Sequence, residues 1–117
     1  MPLLQMSTSA PLPDQETRAR RLAHLSALIA RELDKPEQYV MVMLNERSDM
    51  MFAGNSQAAC YAELKNVGAF SPRDTERLSA VLCAEIGHAL GVAQDRVYIE
   101  FTNVDGALWG WKGGTFA

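Results

Sequence analysis

Pro2 stands directly behind the initiating methionine, and that position gives it a chemistry that an internal proline lacks. A small second residue permits removal of Met1. The product would be a secondary amine at the chain's beginning, a group whose ordinary pKa lies only slightly above neutral. Such a group can act as a base near pH 7. Met1-Pro2 also has a plain explanation, since proline suits the first residue of a strand. The other candidates point less sharply to chemistry. Lys35 follows a helical segment, where a cation complements the helix dipole. His24 and His88 sit within helical patterns and read as structural or surface imidazoles. Cys60 and Cys83 make neither a CxxC pair nor a metal-ligand spacing, and read as reduced, packed thiols. No Gly-rich phosphate loop, HExxH or GxSxG is present in the sequence, so phosphate, zinc-protease and serine-hydrolase chemistries have no motif to rest on. Trp109, Trp111 and Phe116 read as core or interface residues, the usual place of large aromatics.

The chain that must position these groups has 117 residues, 48% hydrophobic and 21% charged, with a net charge of −3. Those values suit one ordinary globular domain over residues 1–117. The mild acidity lacks the basic face of a nucleic-acid partner, and no apolar run approaches a membrane span. The start has no basic n-region and too short an apolar stretch for a signal peptide, so the cytosol is the expected compartment.

Local patterns then place the elements. Leu3 to Thr8 reads as a strand, followed by a turn cluster from Ser9 to Asp14. Asp14 is an N-cap candidate for a helix over Gln15 to Leu33, where Leu22, Leu25, Leu28, Ile29 and Leu33 recur at helical spacing. Lys35-Pro36 closes that helix. Tyr39 to Leu44 is a near-continuous apolar run, as expected of a strand buried on both faces. Met50 to Phe52 reads as a brief strand, Gly54 to Ser56 as a turn and Ala59 to Val67 as a strand. Ser71 caps a second helix with Pro72 at its first position. Leu78, Val81, Leu82, Ile86 and Leu90 form its apolar stripe, and Gly91 ends it. Val97 to Phe101 is the next strand, Asn103 to Gly106 a turn, and Ala107 to Trp111 a last short strand. A β-α-β unit is thus written twice. The fold class is α/β (α+β): a two-layer sandwich of one mixed sheet with two helices on one face. The other face has no cover within the chain, yet its strands look apolar, which predicts a homo-oligomer with sheets packed together.

The chain as a whole resembles the macrophage migration inhibitory factor and D-dopachrome tautomerase family. Its Met1-Pro2-Leu3, Lys35-Pro36-Glu37-Gln38-Tyr39-Val40, Met51-Phe52-Ala53-Gly54-Asn55-Ser56 and Asn66-Val67-Gly68 carry the likeness. So do Asp95-Arg96-Val97-Tyr98-Ile99 and the ending Leu108-Trp109-Gly110-Trp111-Lys112-Gly113-Gly114-Thr115-Phe116-Ala117. The resemblance implies a homotrimer whose sheets line a central barrel, with an active site at each subunit interface and no cofactor or metal. Carried over by position, Pro2 is the catalytic base and Lys35 the cationic partner of a substrate carboxylate or enolate. Val67 offers backbone groups. Tyr39, Trp109, Trp111 and Phe116 shape an aromatic wall, and Tyr98 reaches in from the neighbouring subunit.

The implied activity is keto–enol tautomerisation of an aryl or 2-keto acid such as phenylpyruvate. An apolar pocket and a nearby lysine both disfavour a protonated amine and so bring its pKa to the working range. The resemblance also keeps a receptor-binding, cytokine-like role open, with a cell-surface receptor as partner and release independent of a signal peptide. Decarboxylation or dehalogenation in the wider superfamily is a further alternative. Two positions depart from the family. Glu100 stands where the mammalian cytokine has an active-site asparagine; its carboxylate would repel an acidic substrate or face away. The cytokine's CxxC positions hold Ala59 and Ala62, so thiol–disulfide activity is not implied.

Overall fold

Two β-α-β units share one sheet in the computed structural model, which describes residues 1–12 and 14–117. The first unit is β1 (Leu3–Thr8), α1 (Gln15–Leu33) and β2 (Met41–Asn45); the second is β3 (Cys60–Val67), α2 (Pro72–Leu90) and β4 (Val97–Val104). Within each unit the strands run parallel, and β1 pairs antiparallel with β3 at the centre, giving the order β2-β1-β3-β4. The sheet is therefore mixed, as expected. Pro13, in the expected turn, lies outside the described residues.

Both helices begin where the sequence places a cap. Asp14 accepts from the Thr17 amide at 2.6 Å, and that bond holds its carboxyl below the usual range. Ser71 and Asp74 form a reciprocal capping box, with Pro72 at the first helical position. The pair satisfies two amides that the helix itself leaves unpaired. At the other end Gly91 takes the left-handed conformation and donates to the Gly87 carbonyl. Helix α1 ends differently. Asp34, not a glycine, adopts φ 51° and donates to Ala30 and Arg31 before Lys35-Pro36 leads the chain away.

The apolar stripes of both helices, with Leu25, Ile29, Leu78, Leu82 and Ile86, close over Leu4, Met6, Ala62 and Leu64 of the central strands. Burial of one such leucine contributes about 2 kcal/mol. Cys60 belongs to this core, Cys83 is half-buried, and both are free thiols. Burial, with Cys83 nearby, pushes the Cys60 thiol up to about 12. It is thus unreactive near neutral pH. His24 bridges the helices to Glu85 at 3.0 Å.

Several expected elements differ. The second strand starts at Met41, because Pro36 to Tyr39 winds into a 3-10 turn over Glu37–Tyr39. Nor is it buried on both faces: it is an edge strand in which Met41 and Met43 alternate outward. Met50 to Phe52 makes no strand beyond one bridge, Phe52 to Asn55, around a turn at Ala53-Gly54. Strand β4 runs on to Val104, so the turn begins later than Asn103. After a 3-10 turn at Gly106–Leu108, the last strand is a hairpin, β5 (Gly110–Trp111) with β6 (Gly114–Thr115). Lys112 and Gly113 supply its left-handed corner at φ 52° and 81°. The uncovered sheet face is also less apolar than expected. Met41, Met43, Tyr61 and Tyr98 lie exposed, while Gln5, Glu63, Lys65, Glu100 and Thr102 sit at the same strand phase.

Candidate functional site

The amino end of β1 lies under three aromatic rings. Pro2 is buried, and its carbonyl accepts from the Met41 amide at 3.0 Å, fixing the chain's start to the edge strand. Tyr39 meets Trp111 edge-on at 5.4 Å and Phe116 at 5.9 Å; Trp111 and Phe116 stack at 5.7 Å with 17° between planes. Such offset and edge contacts are favourable geometries for aromatic pairs. Together with Pro2, Val40 and Trp109, these rings line a recess of about 230 Å³.

Each ring has a local cause. The 3-10 turn at Glu37–Tyr39 swings Tyr39 toward the chain's beginning. The hairpin presents Trp111. Phe116 is pinned by its amide, which donates to the carbonyls of Gly106 and Trp109 at 3.1 and 3.2 Å. A Cβ at Gly106 would run into the Phe116 carbonyl, so glycine is required for that close approach.

In this chain the terminal ammonium belongs to Met1. It donates to the Tyr39 carbonyl at 2.9 Å. Burial first, and the charge of Lys35 second, lower its pKa from 8.0 to about 6. Both causes act on the charged form, which loses water and meets a like charge. This corner therefore makes an amine a neutral base at physiological pH. Pro2's own nitrogen is an amide while Met1 remains.

The remaining residues singled out in the sequence distribute unevenly. Lys35 lines a neighbouring polar recess with Glu32, Asn66, Asp74 and Arg77. Val67 lines a third, with Gly68, Val104, Gly106 and Phe116. All three recesses open at the same end of the sheet, around the ends of β1, β3 and β4. Tyr98 and Glu100 are not brought there within one chain. Tyr98 pairs in register with Tyr61, and Tyr61 with Ser7, at the far end of β1. It is 63% exposed and packs on Phe52 at 4.7 Å. Glu100 points to the open sheet face and accepts from the Tyr61 hydroxyl at 2.9 Å and from Thr102 at 3.2 Å.

Asn66 was not singled out by sequence reasoning. Its signal was a polar residue at an inward strand position, which becomes visible only once the strand pairing is known. A larger recess, about 620 Å³ at Ser9, Arg47 to Met51 and Ser56, is an open groove away from the amino end. Among the described residues no three His, Cys, Asp or Glu side chains come together as a metal-binding group.

Known proteins match this chain along its whole length. A family model described as macrophage migration inhibitory factor (MIF) matches residues 1–117. A macrophage migration inhibitory factor homolog of Trichinella spiralis is 32% identical over 116 residues, covering 99% of this chain and 100% of that protein. The macrophage migration inhibitory factor of Rattus norvegicus is 29% identical over 117 residues, covering both chains completely. Among solved structures, a homologue from Prochlorococcus marinus superposes with a TM-score of 0.90 at 38% identity, covering 98% of this chain and 99% of that one. With a full-length family match, a relative above 30% identity and a common fold, the chain belongs to the macrophage migration inhibitory factor family.

Proposed function

We propose that the chain is a cofactor-free keto–enol tautomerase of the phenylpyruvate type, with Pro2 as its base once Met1 has been removed. The observation that carries this is the buried Pro2 beneath an aromatic wall, at a chain end where burial and Lys35 disfavour a protonated amine. Removal of Met1 hands that terminus to the Pro2 nitrogen. The neutral amine takes a proton from the carbon beside a ketone while the carbonyl oxygen gains charge; the proton is then returned to that oxygen. No bond to the protein forms, and no electrons are lost.

Lys35 stabilises the developing oxyanion or holds the substrate carboxylate, a role best filled by a charge fixed in advance. Tyr39, Trp109, Trp111 and Phe116 receive the aryl group, and Val67 contributes backbone donors at the rim. A homotrimer completes the site. Its support is the uncovered sheet face with exposed Met41, Met43, Tyr61 and Tyr98, from which Tyr98 and Glu100 reach a neighbour's amino end.

The test is turnover of phenylpyruvate by the mature protein and its Pro2→Gly variant, with intact mass establishing the loss of Met1. General-base catalysis of this kind supplies roughly 10²–10⁴-fold, so a loss of at least about 100-fold is expected. A loss of only a few-fold overturns proline catalysis. A second reading, a receptor-binding factor with an idle pocket, draws on the names of the curated relatives. Receptor binding that survives Pro2→Gly, with no turnover in the wild type, would favour it.

A further inference from the structure

Asn66 sits one residue from the end of β3, and the chemistry above leaves it without a task. The antiparallel register pairs Leu3 with Lys65 and Leu4 with Leu64; carried one step further, it sets Asn66 across from Pro2. Alternate residues of a strand share a face. Asn66 therefore lies with Leu64 and Ala62 on the helix side, as Pro2 lies with Leu4 and Met6.

Asn66 is 7% exposed, and its Oδ1 has no hydrogen-bond partner among the described residues. A buried acceptor left unpaired is a standing cost, and most buried polar atoms avoid it. The same side chain lines the recess of about 230 Å³ that holds Lys35. Arg77, also there, is engaged by Glu32 at 3.1 Å and Asp74 at 3.9 Å. Lys35 belongs to no ion pair among the described residues. A free cation and an unsatisfied neutral acceptor thus share one recess beside the amino end.

That pair of groups has a chemical complement. A 2-oxo acid carries a carboxylate one bond from the carbon bearing its second oxygen. In the keto form that oxygen only accepts; in the enol form it also donates an O–H. We propose that the side-chain amide of Asn66 binds the oxygen on C2 of a 2-enol acid whose carboxylate pairs with Lys35, an inference that rests on the tautomerase assignment. Oδ1 accepts the enol O–H. Rotation about the last side-chain torsion of asparagine is soft enough to turn the oxygen into the recess. Lys35 and Asn66 together then distinguish 2-enol acids from neutral aryl ketones, which lack the carboxylate, and from acids with nothing at C2.

Binding of two acids that do not react separates these contributions: 3-phenyllactate, with a hydroxyl on C2, and 3-phenylpropionate, without one. Titration calorimetry on the mature protein should show phenyllactate bound about tenfold tighter, as one good hydrogen bond to a buried group allows. Asn66→Ala should abolish that preference and leave phenylpropionate affinity unchanged. Asn66→Val, a strand former of similar bulk, should behave alike and guards against an alanine variant that fails to fold. Lys35→Gln should weaken both acids.

The inference is overturned if wild type binds the two acids equally or binds neither. It is overturned also if the Asn66 variants keep the full preference, or weaken both acids to the same extent. Turnover of Pro2→Gly judges the tautomerase assignment separately, so either can fail alone.

Discussion

The two β-α-β units put their post-helical turns to opposite uses. In each, a helix ends, a 3-10 turn follows, and the second strand begins: Glu37–Tyr39 before β2, Gln94–Arg96 before β4. Each turn also grips the chain just ahead of its unit's first strand. In the first unit the Tyr39 carbonyl takes the terminal ammonium at 2.9 Å. In the second, Arg96 holds the carbonyls of Ala58, Phe52 and Gln57 at 3.0, 3.3 and 2.9 Å and lies over the Phe52 ring at 5.0 Å. Arg96 is buried and each of its three guanidinium nitrogens donates to a carbonyl, so it acts as a clamp. The amine is held by one bond, is partly desolvated and feels the charge of Lys35, so its charged form is disfavoured and it stands as a neutral base. Corresponding positions in the two units thus hold a cation fully engaged by carbonyls and an amine whose charged form is disfavoured.

Blocking the amine should have the largest effect. A chain that retains Met1 has no basic nitrogen at Pro2, and its tautomerase rate should fall at least about 100-fold, like Pro2→Gly. Thermal unfolding should barely change. Equal rates for the Met1-retaining and mature forms, separated by intact mass, would end the distinction between the two turns.

Arg96→Met should do the reverse. It keeps the stem but removes the donors of three partly buried carbonyls, which costs about 2–4 kcal/mol of stability. The thermal midpoint should drop by roughly 10 °C, with turnover at low temperature nearly intact. A stable Arg96→Met with lost turnover would show that the clamp reaches into the chemistry.

Lys35→Gln should have an intermediate effect. Lys35 is the second cause, after burial, of the lowered amine pKa. In the mature protein the same charge lies near the Pro2 nitrogen, so its removal should move the acid limb of kcat/KM to higher pH. The sign for stability follows from the same shift. In the Met1-retaining chain the folded amine binds a proton less readily than the unfolded one, so stability should rise with pH between about 6 and 8.0. That rise should be shallower in Lys35→Gln, read from urea midpoints across the window.

Legibility in the sequence followed how local the determinants were. Both helices were placed to the residue because Asp14, Ser71, Pro72 and Gly91 act within one turn of themselves. The terminal hairpin was not, because its corner rests on Lys112 at φ 52°, a residue type that signals no turn. The edge strand read as doubly buried because Tyr39 to Leu44 is apolar throughout, and composition does not say which strand lies at the edge. In the site, Pro2 and the aromatic wall came from family resemblance, and the fold gathers them. Asn66 stayed hidden, since only strand register sets it across from Pro2.

The smallest effect belongs to the far side of the sheet. Glu63 and Glu100 face each other directly across β3 and β4, a like-charge pair that would repel. Tyr61 stands between them, with its hydroxyl 3.1 Å from Glu63 and 2.9 Å from Glu100. One hydroxyl has one proton and donates to a single carboxylate at a time. Its bond to Glu100 is the chief reason the phenol is pushed up to about 12. Glu100→Gln removes that charge and part of the repulsion, and the site is open to water, so the thermal midpoint should hardly move. The phenol should titrate lower, toward the ordinary tyrosine value, read as phenolate absorbance against a Tyr61→Phe control. An unmoved titration would mean that Glu63 alone holds the hydroxyl, and that Glu100 is free to turn toward a neighbouring subunit's amino end.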